Sequence, residues 1–236
     1  MSNATCKAGL GNGGFTIVEL MITLVISGII VAAIYSAYIV QQRTYTVQNS
    51  VSEMQQNLRA GLMLMTDEIR LAGLDEQGTA GAGITSATVA RLNFTLDRDG
   101  DGALGGTSES ISFGFRDADD ADGDGMVDDL NQNGRSDDAA SLGKDTGGGY
   151  QSIADNIQAI EFYYFLADGT ETTAPAQLDQ IRAVQVSVLA RAAYPDPDFT
   201  NTRTYTTASG ASWGPFNDNY RRRLLIMSVQ CRNLGL

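Results

Sequence analysis

Hydrophobic positions along this chain fall into three regimes. From Phe15 to Val40 they run almost unbroken, FTIVELMITLVISGIIVAAIYSAYIV, with Glu19 as the only charge. Residues 20–40 carry no charge at all, and a helix rising ~1.5 Å per residue needs about 20 such residues to cross a bilayer. The pattern then narrows to a stripe. Val47, Val51, Met54, Leu58, Met65, Ile69 and Ala72 recur at spacings of three, four or their sum, while Arg43, Glu53, Arg59, Asp67, Glu68 and Arg70 take the polar faces. No proline interrupts, so one helix is predicted from about 15 to 71, ~85 Å long if straight. Gly73 is its stop, and Gly28 and Gly61 are positions where it could bend.

Beyond a glycine-rich linker over 73–83 the period changes to two. Strands are predicted over 89–96, 110–115, 157–169, 181–192 and 221–233, with 157–169 and 181–192 as hairpin partners. An acidic loop joins the first two strands and a longer one fills 116–148. The run 194–219, with Pro195, Pro197 and Pro215, reads as irregular around one short strand near Tyr205, its Tyr205, Trp213 and Phe216 forming either a satellite core or a contact surface. The fold class is α+β: a long N-terminal helix, transmembrane in its first half, packed on an antiparallel sheet.

Charge sharpens this picture. The net charge is −12, and residues 97–138 alone supply −10, with 13 acidic residues against Arg98, Arg116 and Arg135. Local acidity of this kind argues against nucleic acid and for cations as partners. Arg221, Arg222 and Arg223 open a strand and read as a solvated edge or an acid-pairing site. There is no histidine, and the two cysteines are Cys6 and Cys231, which removes Cys–His nucleophilic chemistry and zinc sites. No G-x-S-x-G or phosphate-loop motif occurs, so an enzyme is not expected.

The acids of the longer loop are spaced as ligands. Asp120, Asp122, Asp124 and Asp128 hold positions 1, 3, 5 and 9 of a D-x-D-G-D-G-x-x-D pattern, with Gly125 at position 6 and the Met126 carbonyl at 7. Calcium takes six to eight oxygens from such loops. A second copy follows: Asp129, Asn131, Asn133 and Asp137, with Gly134 at position 6 and Arg135 at 7. Neither has Glu at position 12 or a flanking helix pair, so these are not EF-hands. A partial third copy is Asp97, Asp99 and Asp101, with Ala103 offering its carbonyl; position 9 is Gly105, and Glu109 is the replacement if the chain folds back. Two calcium ions are expected in 120–137 and a third at 97–103, at the weak affinity of extracellular sites, ~10⁻⁴ to 10⁻³ M.

The apolar run has the wrong order for an ordinary secretory signal. Residues 1–14 are short, polar and glycine-rich, and no small-residue cleavage site follows the apolar stretch. A plain anchor leaves Glu19 unexplained, because a lone carboxylate in hydrocarbon costs about 2.5–3.5 kcal/mol. The segment G-FTIVE (14–19) ahead of an apolar helix closely resembles the type III prepilin signal of type IV pilins and type II secretion pseudopilins. DEIRLAG (67–73), IRAVQVSVLAR (181–191) and RRRLLIMSVQCRNL (221–234) are most similar to PilW-like minor pilins and the related J-type pseudopilins. That resemblance implies cleavage between Gly14 and Phe15 by a prepilin peptidase on the cytoplasmic side, methylation of the new amine, and pairing of Glu19 with the N-terminal amine of a neighbouring subunit. It divides the chain into a cleaved leader (1–14), a long helix (15–72, with 15–40 as membrane or filament core) and a β-rich domain (73–236) carrying acidic loops 97–109 and 117–138. It further implies other pilin or pseudopilin subunits and an inner-membrane assembly platform as partners. The resulting path runs from a single-pass inner-membrane precursor to the periplasm and a surface filament. The role it implies is a minor pilin in type IV pilus assembly, initiation or tip structure; a type II secretion pseudopilin and an adhesive filament subunit are the alternatives.

Overall fold

The structure, a computed structural model, describes residues 14–106, 108–134 and 138–235. It divides into two compact units, one up to residue 46 and one from residue 47 onward. Helix α1 (Ile17–Arg70) is continuous through Gly28 and Gly61. Up to Val40 it is apolar all round, and its large side chains are open: Ile26 is 50% exposed and Ile34 63%. By length and composition this stretch is able to cross a membrane.

In the second unit the helix packs on a sheet. Met54, Leu58, Leu62, Met65 and Ile69 are buried, as is Ala72 just beyond the helix; Val47 and Val51 sit at the edge of that stripe, half-buried. Gly61 is not a bend. A Cβ there would lie 2.7 Å from the Ala154 Cβ, so the missing side chain lets helix and sheet approach closely. Gly73 ends the helix at φ 76°, its N–H donating to the Thr95 carbonyl at 3.0 Å.

The sheet is antiparallel. It takes β1 (Ile84–Ala87), β2 (Leu92–Thr95), β3 (Ser110–Gly114), β4 (Ala140–Asp145), β5 (Tyr150–Leu166), β6 (Glu171–Thr172), β7 (Ile181–Arg191) and β10 (Arg222–Gln230). Their order is β1-β2-β3-β4-β5-β7-β10, with β6 on β5. β8 (Tyr205–Thr206) and β9 (Ser212–Trp213) form a separate hairpin. Alternation works as expected in β2 and β3, where Leu92, Phe94, Ile111 and Phe113 turn to the helix and Asn93, Thr95 and Ser112 turn away.

β5 and β7 pair from Ile157↔Ala190 to Leu166↔Ile181. Residues 157–162 are buried on both faces, because the outer face carries the β8–β9 hairpin. Trp213 packs there on Ala159 and Leu189, joined by Tyr205 and Phe216. Buried Glu161 holds that hairpin, accepting from Thr207 Oγ1 (2.9 Å), Ser209 Oγ (2.7 Å) and Ser209 N (3.1 Å). Of the arginine triplet, Arg222 makes a buried bidentate pair with Asp218 at 2.5 Å and Arg221 pairs with Asp196, so acid pairing is the reading that holds for both.

Several strands differ from expectation: β1, β6 and β9 stand where none is expected. β4 lies inside what reads as acidic loop over 116–148. β5 begins at Tyr150 rather than 157, because its polar first third pairs with β4.

Candidate functional site

The two acidic loops leave the sheet from neighbouring strands, and strand register builds each one. In the first, Thr95 lies opposite Ser110, and the Leu96 N–H donates to the Glu109 carbonyl at 2.9 Å. Glu109 is thereby set beside Asp97. Carboxylate oxygens of Asp97, Asp99 and Glu109 lie within 4.8 Å of one another, with Asp97 and Glu109 buried. Backbone amides orient both buried acids. Asp97 accepts from Gly100 N (2.8 Å) and Gly102 N (3.0 Å), and Glu109 from Arg98 N (3.2 Å) and Gly106 N. Asp101 is not one of the three. It faces solvent at the loop tip and accepts from the N–H of exposed Ala103 at 2.8 Å. The closing acid therefore comes from the start of β3.

In the second loop, Asp120, Asp122 and Asp124 bring carboxylate oxygens within 4.8 Å. Gly125 has φ 86°, and a Cβ there would run into the Ile160 carbonyl, so only glycine fits where the loop meets β5. Val127 N donates to Gln158 O (2.9 Å) and Ile160 N to Gly125 O (2.7 Å), flanking an isolated bridge between Met126 and Ala159. Neither bond uses the Met126 carbonyl. Asp128 stands apart from the three, its Oδ2 accepting from Ala121 N at 2.8 Å.

Asp120 tests whether a cation fits. It is 8% exposed, Gly125 N donates to its Oδ2 at 3.2 Å, and its Oδ1 is buried with no hydrogen-bond partner. Burial above all pushes its carboxyl above the usual carboxylate range, with Asp124 and Asp122 adding to the push against the Gly125 amide. An ionised carboxylate so placed calls for a positive charge. No Lys or Arg pairs with it among the described residues. A divalent cation with oxygen preference suits that donor set.

The next repeat is closed in part. Asp129 accepts from Asn133 N (2.9 Å) and Gly134 N (2.6 Å), and Asn131 Oδ1 accepts from Asn133 N at 3.1 Å. Asp138, which spacing did not single out, accepts from Asn131 N (2.9 Å) and Asn131 Nδ2 (2.5 Å). Arg135 and Asp137 lie outside the described residues.

At the other end of the chain, Gly14 and exposed Phe15 precede the helix; residues 1–13 of the leader lie outside the described residues. Thr16 and Glu19 form a reciprocal capping box. Glu19 Oε2 accepts from Thr16 N (3.0 Å) and Thr16 Oγ1 (2.9 Å), and Glu19 N donates to Thr16 Oγ1 at 3.2 Å. The spacing T-x-x-E ahead of an apolar run is the sequence signal for it. Glu19 Oε1 takes no hydrogen bond among the described residues, so one carboxylate oxygen remains available at the positive end of the helix.

Residues 121–233 match the family model described as Type IV Pilus-assembly protein W, and residues 10–35 match the prokaryotic N-terminal methylation motif. Together the matched stretches take in more than half of the chain. No curated protein matches it significantly. Among solved structures it is similar to a type IV-like pilin from Thermus thermophilus, at 14% identity and a TM-score of 0.46, covering 77% of this chain and 98% of that one.

Proposed function

We propose, on the premise that this chain belongs to the type IV pilin superfamily as a PilW-like subunit, that it is a minor pilin with a calcium-stabilised exported domain. It acts in assembly, initiation or tip structure of a type IV pilus. Cleavage after Gly14 by a prepilin peptidase leaves Phe15 as the new N-terminus, and the helix stays in the inner membrane until an assembly platform extracts it. Neighbouring pilin subunits then replace lipid around residues 15–40.

The observation that carries this reading is the start of α1: an exposed apolar stretch, to Val40, whose only acid, Glu19, keeps one oxygen free after capping its own first turn. A neighbour's ammonium there offsets the desolvation of both charges. Replacement Glu19→Ala is expected to leave the domain folded and to abolish incorporation; wild-type recovery of the variant in sheared filaments overturns the reading. The match to a pilus-assembly model favours a pilus over a secretion pseudopilin.

Calcium is supported by the orphaned Asp120 oxygen and by two carboxylate triads. Asp120, Asp122, Asp124 and the Met126 carbonyl hold one ion, Asp97, Asp99 and Glu109 another, and the Asp129–Asp138 repeat a third. The ion supplies charge compensation that ties each loop to the sheet. A chelator should make residues 97–138 the first site of protease attack; equal resistance in chelator and in millimolar calcium overturns this.

A further inference from the structure

The two edges of the sheet are built differently. β1 has four residues and a bulge between Ile84 and Ser86, devices that keep an edge from pairing with other chains. β10 has nine residues and no proline or lysine. It pairs with β7 without a break, from Arg222↔Arg191 to Gln230↔Ala183. Bonds at its two ends set the phase. Ala192 N donates to the Arg221 carbonyl at 2.8 Å, and Cys231 N donates to the Arg182 carbonyl at 2.9 Å. Odd-numbered residues therefore turn their N–H and C=O groups towards β7, and even-numbered residues turn theirs outward. Leu224, Ile226, Ser228 and Gln230 thus present main-chain donors and acceptors that have no protein partner among the described residues.

The side chains of this edge are apolar in its middle. Ile226 is 41% exposed, and Leu225 and Met227 lie half-buried at the margin of the core. A strand laid beside β10 would pair the outward main-chain groups and cover these side chains together. The outward groups recur every second residue, ~6.8 Å apart, a repeat that an extended chain matches and a compact molecule does not.

Charge then chooses among strands. Residues 220–236 contain no acid. Arg221 and Arg222 are paired with Asp196 and Asp218. Arg223 and Arg232, which flank the edge, are exposed and make no ion pair among the described residues. A second copy pairing through its own β10 would supply no carboxylate to them, and two chains of net charge −12 repel each other. We infer that β10 takes up an extended segment of a different protein, antiparallel to it, with alternating apolar residues and a carboxylate near each end. Leu225, Met227 and Val229 meet its apolar side chains, and Arg223 and Arg232 its carboxylates. Neither a metal in the acidic loops nor the fate of the apolar helix enters into this pairing.

The test titrates the full-length chain, in detergent and millimolar calcium, with the peptide Glu-Val-Thr-Val-Thr-Val-Thr-Val-Thr-Glu, read by calorimetry. Controls are the same peptide ended in lysines and the same peptide N-methylated at its threonines, whose amides would face β10. The acid-ended peptide should bind saturably and about tenfold tighter than the lysine-ended one, two cross-strand charge pairs together being worth about one decade. The N-methylated peptide should not bind. Arg223→Gln should cut the charge preference to about threefold. Ser228→Pro, which removes an outward N–H and no bond to β7, should weaken binding of both unmethylated peptides with unfolding temperature close to wild type. Equal affinity for the two charge forms, binding that survives N-methylation, undiminished binding to folded Ser228→Pro protein, or no binding at all overturns the inference. So does sedimentation of the chain alone as a dimer that Ser228→Pro disperses, which would assign the edge to a second copy.

Discussion

Residues 17–46 and 47–70 belong to one α-helix, yet their side chains obey different rules. In the second half the polar and apolar faces are separated, and Met54, Leu58, Leu62 and Met65 disappear under the sheet. In the first half, as far as Val40, there is no polar face, and Ile26, Ile30 and Ile34 stay open. An amphipathic helix draws its stability from packing one face on its own domain. A helix apolar all round has no such face to choose, and it is matched to surroundings that are apolar on every side. The second half is thus written for this molecule and the first half for apolar surroundings outside it.

Equivalent substitutions in the two halves put that contrast at risk. The largest effect is expected from Leu62→Ala, where the side chain is 1% exposed; removing it should cost about 2–5 kcal/mol. Ile26→Ala should leave domain stability within ~0.5 kcal/mol. Denaturant unfolding of the full chain in detergent compares them, and equal losses would break the contrast. Glycine gives the next test. Gly61→Ala forces a methyl group to 2.7 Å from Ala154 and should destabilise by about 1–3 kcal/mol. Gly28→Ala meets nothing within 4 Å, and should be neutral or stabilise the helix by up to ~1 kcal/mol. A Gly61→Ala protein as stable as wild type would remove the close-approach argument.

The smallest effect concerns charge. Burial tends to raise the Glu68 carboxyl, but Lys144 at 2.6 Å and Arg98 at 2.8 Å outweigh it and hold it below the usual range. A depressed folded value means the stabilisation is present above the unfolded value near ~4.3 and is lost as pH falls through the folded one. Glu68→Gln should therefore cost about 1 kcal/mol at neutral pH, with the difference from wild type fading in acid. A pH-independent difference would show that Glu68 acts by packing alone.

Legibility followed the same divide between local and distant causes. The helix, its stripe, its stop at Gly73 and the pairing of 157–169 with 181–192 were readable, since hydropathy period and turn residues are properties of neighbours in the chain. β4 was not. Its Gly143 exists for the Tyr150 ring and its Lys144 for Glu68, so neither looks like a strand residue until the sheet is assembled. The capping box of Thr16 and Glu19 was open to reading in T-x-x-E but stood behind the second role of the same acid.

The acidic loops divide most sharply. Aspartates at alternate positions before glycine were enough, by themselves, to mark 97–101 and 120–124 as places where carboxylates converge, because that spacing acts within a single turn. Tertiary structure alone decided which acid joins Asp97 and Asp99: strand register brings Glu109 there and leaves Asp101 at the tip. It alone decided that Asp120 would be buried with an oxygen unmet, because β5 closes over that loop. Chain spacing sets which ligands are near in sequence; pairing across the sheet sets which of them meet.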